Sequence, residues 1–360
     1  MKKYALLLPS LLASSIAIAS DNTGQQDLIS KVDVMGNGTQ LALGGFAEGR
    51  LGIKDGEATD KSRFRLKVLA EHQINDNLYG FGYYEGDFYT SSDDRGVSSD
   101  GNESQTNHRW IHAGIGGDFG EFAIGKTGGS LYYLTDFTDI LRYHGNRAAD
   151  KIQVGDRADN MVSYVGTHLE GNLRVHGSYR FADSQYDAQN DTFTNNGRDG
   201  YSASASYRIP SVNLEIGVGY AEQGESDEVM IGANYGIGGF YAAVLFTDGQ
   251  KDDYSGDNDT SVNTASYQGQ EAALSYLFAD KYKLSATYNA SETGGYTTVD
   301  EVAIEARYYF APKLRAYLSY NFNAISAGDT ISDQNNLGFS TTASNQDAEN
   351  EVAIGIRYDF

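Results

Sequence analysis

Glu351-Val352-Ala353-Ile354-Gly355-Ile356-Arg357-Tyr358-Asp359-Phe360 is the stretch that decides the fold. In an extended chain Val352, Ile354, Ile356, Tyr358 and Phe360 share one face, while Ala353, Gly355, Arg357 and Asp359 share the other. Fifty residues earlier, Glu301 to Phe310 repeats the pattern almost letter for letter. There Val302, Ile304, Ala306, Tyr308 and Phe310 oppose Glu301, Ala303, Glu305, Arg307 and Tyr309. Such alternation predicts strands with one apolar and one wet face.

Working outward, similar runs recur at 39–53, 61–72, 78–89, 107–116, 119–126, 156–165, 172–181, 200–208, 212–221, 228–235, 240–248, 270–278, 281–291, 299–310, 313–323 and 349–360. Sixteen is an even number, as a single-chain bacterial barrel requires. One set of connections is short, and Pro210 and Pro312 both fall there, where no ladder hydrogen bond is lost. The other set is long and polar, as in Thr90–Thr106, Ala182–Asp199, Gly249–Gly269 and Ala324–Ala348. Tyr164, Tyr207, Tyr235, Phe278, Phe310 and Phe360 cluster beside the short turns, where an interfacial aromatic girdle belongs. A soluble β-sandwich would also hide an alternating face, but its loops would be of mixed length. The fold expected is all-β: a sixteen-stranded antiparallel transmembrane β-barrel in the outer membrane.

Residues 1–19 read as a signal peptide, with Lys2 and Lys3, an apolar stretch Leu6–Ile18, and cleavage after Ala19. Residues 20–360 then form one domain. Removing Lys2 and Lys3 from 27 basic residues leaves 25 against 49 acids, a net charge of −24. That charge excludes nucleic acid as a partner, since phosphate binding needs basic surface. With no cysteine there is neither disulfide nor thiolate chemistry. The six histidines lack metal-ligand spacing and no Gly-x-Ser-x-Gly occurs, so no metal, no cofactor and no enzyme activity are expected.

Alternation also assigns the lumen face. On the second strand Phe64, Leu66 and Val68 face lipid, so Arg63, Arg65 and Lys67 face inward. Arg109 precedes Trp110, read as outward, and Arg157 lies opposite Val162 and Tyr164, which places both arginines inward. An arginine turned to lipid at mid-depth would cost about 2–4 kcal/mol. Outward positions on the first four strands are small (Gly45, Ala47, Gly49, Gly80, Gly82, Gly86, Gly114), which suits contact between subunits.

Arg65-Leu66 with Glu71-His72-Gln73-Ile74-Asn75, then Leu78-Tyr79-Gly80-Phe81-Gly82, resembles the second and third strands of the general diffusion porins of Gram-negative bacteria. Phe119 to Gly125 is similar to their fifth strand, Thr138-Asp139-Ile140-Leu141 to the start of their constricting-loop tip, and Glu351–Phe360 to their C-terminal signature. The resemblance implies a homotrimer of sixteen-stranded barrels, each with a water-filled pore narrowed by an inward-folded third loop. It also implies insertion by the barrel-assembly machinery through Phe360.

Arg65, Arg109 and Arg157 match the family's basic constriction cluster, and the loop at about 127–155 should face them with Asp136 and Asp139. The family tip reads Pro-Glu-Phe-Gly-Gly-Asp; here Arg142-Tyr143-His144-Gly145-Asn146-Arg147 puts Tyr143 and Arg147 at its two acids. The basic residue of the family's first strand is missing around Gly45 and Phe46. Tyr143 and Arg147 in place of the two acids imply weaker cation preference than the net charge suggests. Loop acids Asp248, Asp252, Asp253, Asp257 and Asp259 are solvated, or bridged by divalent ions to lipopolysaccharide. The function expected is passive diffusion of ions and small hydrophilic solutes. The alternative is an oligosaccharide-selective channel, for which the aromatic loop (Tyr132, Tyr133, Phe137, Tyr143) is the argument and the single Trp is the counter-argument.

Overall fold

Each alternating run forms a strand in the computed structural model, which describes residues 32–33, 38–90, 106–253 and 262–360. The expected signal peptide, residues 91–105, and Asp257 with Asp259 lie outside the described residues. The barrel strands are β1 (Thr39–Lys54), β2 (Arg63–Asn75), β3 (Leu78–Tyr89), β4 (Thr106–Gly117), β5 (Gly120–Gly128) and β6 (Arg157–His168). They continue as β7 (Leu173–Arg180), β8 (Gly200–Ile209), β9 (Leu214–Gln223), β10 (Ser226–Ile237) and β11 (Phe240–Asp252). The last five are β12 (Thr264–Phe278), β13 (Tyr282–Thr293), β14 (Tyr296–Ala311), β15 (Leu314–Asn323) and β16 (Glu351–Asp359).

Every consecutive pair is antiparallel, and β1 closes the barrel on β16 from Phe46↔Asp359 to Lys54↔Glu351. Closure leaves no strand edge unpaired around the wall, which a spanning sheet requires. Val218, Ile304, Leu318 and Ile356 on the outer face are about half exposed, as a lipid-facing band must be without lipid. Their neighbours Glu305, Ser319 and Arg357 are buried inside. On the long-loop side, Ser184–Asp187 and Thr192–Asn195 make a small hairpin above the wall.

Two outward assignments need correction. The β3–β4 register slips between Glu85 and Gly86, pairing Glu85 with Trp110 and Gly86 with His108. Arg109 is the extra residue of this bulge. One inserted residue reverses the facing of everything beyond it. Trp110 and Gly114 therefore face the lumen, not lipid: Trp110 lies edge-on to Tyr132 at 5.5 Å, and Gly114 pairs with Phe81. Arg109 does point inward, through the bulge rather than the alternation.

Gly45 shows why β1 needs glycine. Its φ of 143° is strained for a side chain, and a Cβ there would lie 1.9 Å from the Arg65 carbonyl oxygen. Phe360 donates its backbone N–H to the Gly45 carbonyl at 3.1 Å, and its ring stacks on Phe64 at 5.3 Å.

The candidate pore constriction

Strands β1 to β4 bring the arginines together. Arg63 Nε donates to Glu48 at 2.8 Å, and Arg65 binds Asp87 with both Nε (2.5 Å) and Nη2 (2.6 Å). Arg109 Nε donates to Glu85 at 2.6 Å, and Lys67 lies 3.8 Å from the same carboxylate. The side chains of Glu48, Glu85 and Asp87 are 0–3 % exposed, those of Arg63, Arg65 and Arg109 14–18 %. Acids thus lie against the wall with the guanidiniums over them, so the lumen meets cations although the wall is nearly neutral. The Phe46 ring on β1 is contacted by Arg63, Arg65 and Arg357 at 5.1, 5.0 and 3.6 Å. The ring's negative face adds to what the paired carboxylates already do in holding these guanidiniums.

Arg157 is different. Its guanidinium sits 5.4 Å over the Tyr132 ring, and Nε and Nη1 have no hydrogen-bond partner among the described residues. Alternation does not place it, because β6 breaks at Asn160 (φ 57°), where the β5–β6 register shifts.

The third loop, residues 129–156, folds into the lumen and runs along the opposite wall. It opens with one helical turn, Tyr132–Thr135. Leu131, Leu134, Phe137, Ile140 and Leu141 are buried with Ala221, Met230, Leu245, Ala273 and Ala303 of the wall. Inward glycines form the seat: a Cβ on Gly219 would lie 2.5 Å from Leu131, and one on Gly217 the same distance from Leu134. Gly219→Val should therefore lift the loop and change single-channel conductance; a conductance equal to the parent's would show that the seat is not needed.

Wall side chains satisfy the loop's polar groups. Glu271 accepts from Thr138 Oγ1 (2.5 Å) and from the backbone N–H of Ala148 (2.9 Å) and Ala149 (3.0 Å). Glu305 accepts from the Arg142 N–H at 2.8 Å, Glu228 from that of Ile152 at 3.0 Å, and Gln223 from that of Val154 at 3.0 Å. Tyr143 Oη donates to Glu351 at 2.7 Å, and Arg147 Nη1 lies 3.3 Å from Glu301 with its side chain 58 % exposed. The loop thus follows β8 to β16, while the arginines occupy β2, β4 and the start of β6.

Burial pushes the carboxyls of both loop acids up, and the neighbouring Asp139 pushes Asp136 well above its ordinary range. Arg142, Lys151, Arg109 and Arg63 draw Asp139 back down. Asp139 therefore feels Arg109 and Arg63 of the arginine wall and Asp136 feels Arg157, while Arg65 and Arg109 also bind Asp87 and Glu85.

A sequence profile described as Gram-negative porin matches residues 5–328. Outer membrane protein U of Vibrio parahaemolyticus is 45% identical over 354 residues, covering 98% of this chain and 99% of the relative. The chain belongs to the Gram-negative porin family. Among solved structures, the Salmonella typhi OmpF complex with daunomycin superposes with a TM-score of 0.70 at 19% identity, over 92% of this chain and all of that one. OmpT of Vibrio cholerae in its trimer form gives 0.61 at 17%, over 89% of this chain and 99% of its own. This porin is an outer-membrane β-barrel channel for passive diffusion, and an oligosaccharide-selective channel is not favoured.

The porin's covered acids escaped the sequence reading, although a signal existed: Glu85 and Asp87 share one parity on β3, and Glu48 shares that of Phe46. Of the loop acids named for lipopolysaccharide, Asp252 binds Arg198 at 2.6 Å and Asp253 binds Asn263 at 2.8 Å.

Proposed function

We propose that solutes cross this porin through a slot between the arginines of β2, β4 and β6 (Arg63, Arg65, Arg109, Arg157) and the inward loop bearing Asp136, Asp139 and Tyr143. The observation that carries this reading is that the loop lies on the β8–β16 wall, opposite the guanidiniums. Charges of opposite sign across a narrow lumen set up a transverse field that sorts solutes by charge and dipole. With the exposed Arg147 at the tip and acids covered on the wall, the slot is less cation-selective than the chain's net charge suggests. Size is then the main filter. Liposome swelling with sugars of graded size should fall smoothly with mass; a plateau for one sugar class would refute general diffusion.

The small outward residues Gly45, Ala47, Gly49, Gly80, Gly82 and Gly86 are the face through which the barrel assembles as a homotrimer, a state in which the related OmpT has been solved. Residues 1–19 serve as the export leader and 20–360 as the mature barrel. Lipopolysaccharide contacts the rim, where Asp248 accepts a hydrogen bond from the neutral Gln268 at 2.8 Å. Phe360 is the handle for the assembly machinery and also clips the end of β16 to β1 through Gly45 and to β2 through Phe64. Phe360→Ala should lower the yield of heat-modifiable barrel in outer membranes; unchanged yield and mobility would remove this role.

A further inference from the structure

Between the arginines and the short turns, the lumen wall of β3 and β4 carries a run of rings. Row by row, Glu85 pairs with Trp110, Tyr83 with His112, Phe81 with Gly114 and Tyr79 with Gly116. Trp110 lies 5.7 Å from His112, His112 lies 5.4 Å from Tyr83 and 6.0 Å from Phe81, and Phe81 lies 6.2 Å from Tyr79. Glycine opposite the last two lets their rings lie over the wall. A Cβ would come within 2.8 Å of the Phe81 ring at Gly114 and 2.3 Å of the Tyr79 ring at Gly116. All five rings are half-buried, so part of each stays open to the pore. At the constriction end the run continues through Tyr132, 5.5 Å from Trp110, and that ring already holds a cation, the Arg157 guanidinium at 5.4 Å. The short-turn end differs: among the described residues no cation stands over Phe81 or Tyr79. What adjoins those two rings is acid. Glu71 pairs with Phe81 across β2 and β3. Glu121 accepts from the Tyr79 hydroxyl at 2.6 Å and has no ion pair among the described residues. A neutral hydroxyl does not cancel a carboxylate's charge. Ring faces are electron-rich, so they and the two carboxylates attract the same thing, a positive charge carried beside a flat apolar ring.

We propose that this strip is a subsite for small aromatic cations, which it holds on the short-turn side of the constriction as they cross. The proposal rests on the porin reading. The test is single-channel recording of the full-length protein in planar bilayers at neutral pH. Benzyltrimethylammonium is the probe, tetramethylammonium the cation without a ring, and phenylacetate the ring with the opposite charge. The probe should interrupt the current at a lower concentration than either control. Phe81→Leu keeps an apolar side chain over Gly114 but removes the ring face. It should raise the half-blocking concentration about threefold, the scale of one partly exposed cation–π contact. Glu121→Gln keeps the acceptor for Tyr79, removes the charge, and should raise it by a similar factor. Heat-modifiable mobility shows whether each variant is folded, and if Phe81→Leu is not, Glu121→Gln carries the test alone. Equal block by tetramethylammonium would mean that the rings are not used, and equal block by phenylacetate that the acids are not. Either result overturns the subsite, as do channels that ignore the probe or a half-blocking concentration that a folded variant leaves unmoved. A folded protein that forms no conducting pore overturns the porin reading with it.

Discussion

Replacing Arg65, Arg109 and Arg157 together by alanine should swing the reversal potential in a salt gradient toward cations, changing the permeability ratio by about threefold or more. Two effects add. Three positive charges leave the lumen, and Glu85 and Asp87 lose the guanidiniums that cover them. A buried carboxylate stripped of its partner is strongly destabilised and recruits a cation from the pore water. The expected control follows from the same pairs: adding Glu85→Gln and Asp87→Asn should remove much of the swing. A reversal potential equal to the parent's in the triple variant would mean that these arginines do not line the narrowest point.

The second large effect is expected at Glu271. Its two oxygens accept three hydrogen bonds from the inward loop, at Thr138, Ala148 and Ala149. Glu271→Ala leaves two backbone N–H groups unsatisfied, at about 1–3 kcal/mol each, which approaches what one apolar seat can offset. The loop should then fluctuate, and single-channel records should show a noisier open level with partial closures. A quiet current at the parent's conductance would show that Glu228, Glu305 and the glycine seat hold the loop without Glu271.

The wall was legible in the sequence because period-two alternation is a direct image of a two-faced strand. Glu301–Phe310 and Glu351–Phe360 form β14 and β16 with the facing read from them. The inward loop came from family resemblance, since nothing in its composition says where it folds. Trp110 was misread because a bulge reverses parity without a residue type that announces it. That Arg65 and Arg109 bind Asp87 and Glu85 was not legible, because pairing depends on side chains of the neighbouring strand, and register is invisible in one strand alone. The loop's attachments were missed for a related reason: Glu228, Glu271 and Glu305 look like ordinary lumen acids until a backbone N–H arrives beside each.

The seam between β1 and β16 joins Phe46 to Asp359 across 313 positions of chain. Loop-closure entropy grows only logarithmically, so closing it costs about 5 kcal/mol, little more than a far shorter connection. The seam's influence is on the order of events instead. Until it forms, the chain is a curled sheet with two bare edges, each a template for the wrong strand. Pairing at such separation is slow to find. The inward loop bonds to β12, β14 and β16, so it is most easily laid down while that sheet is still open. Sealing the seam afterwards traps the loop inside, and the pore's narrowest dimension is fixed in the same event that makes the wall continuous.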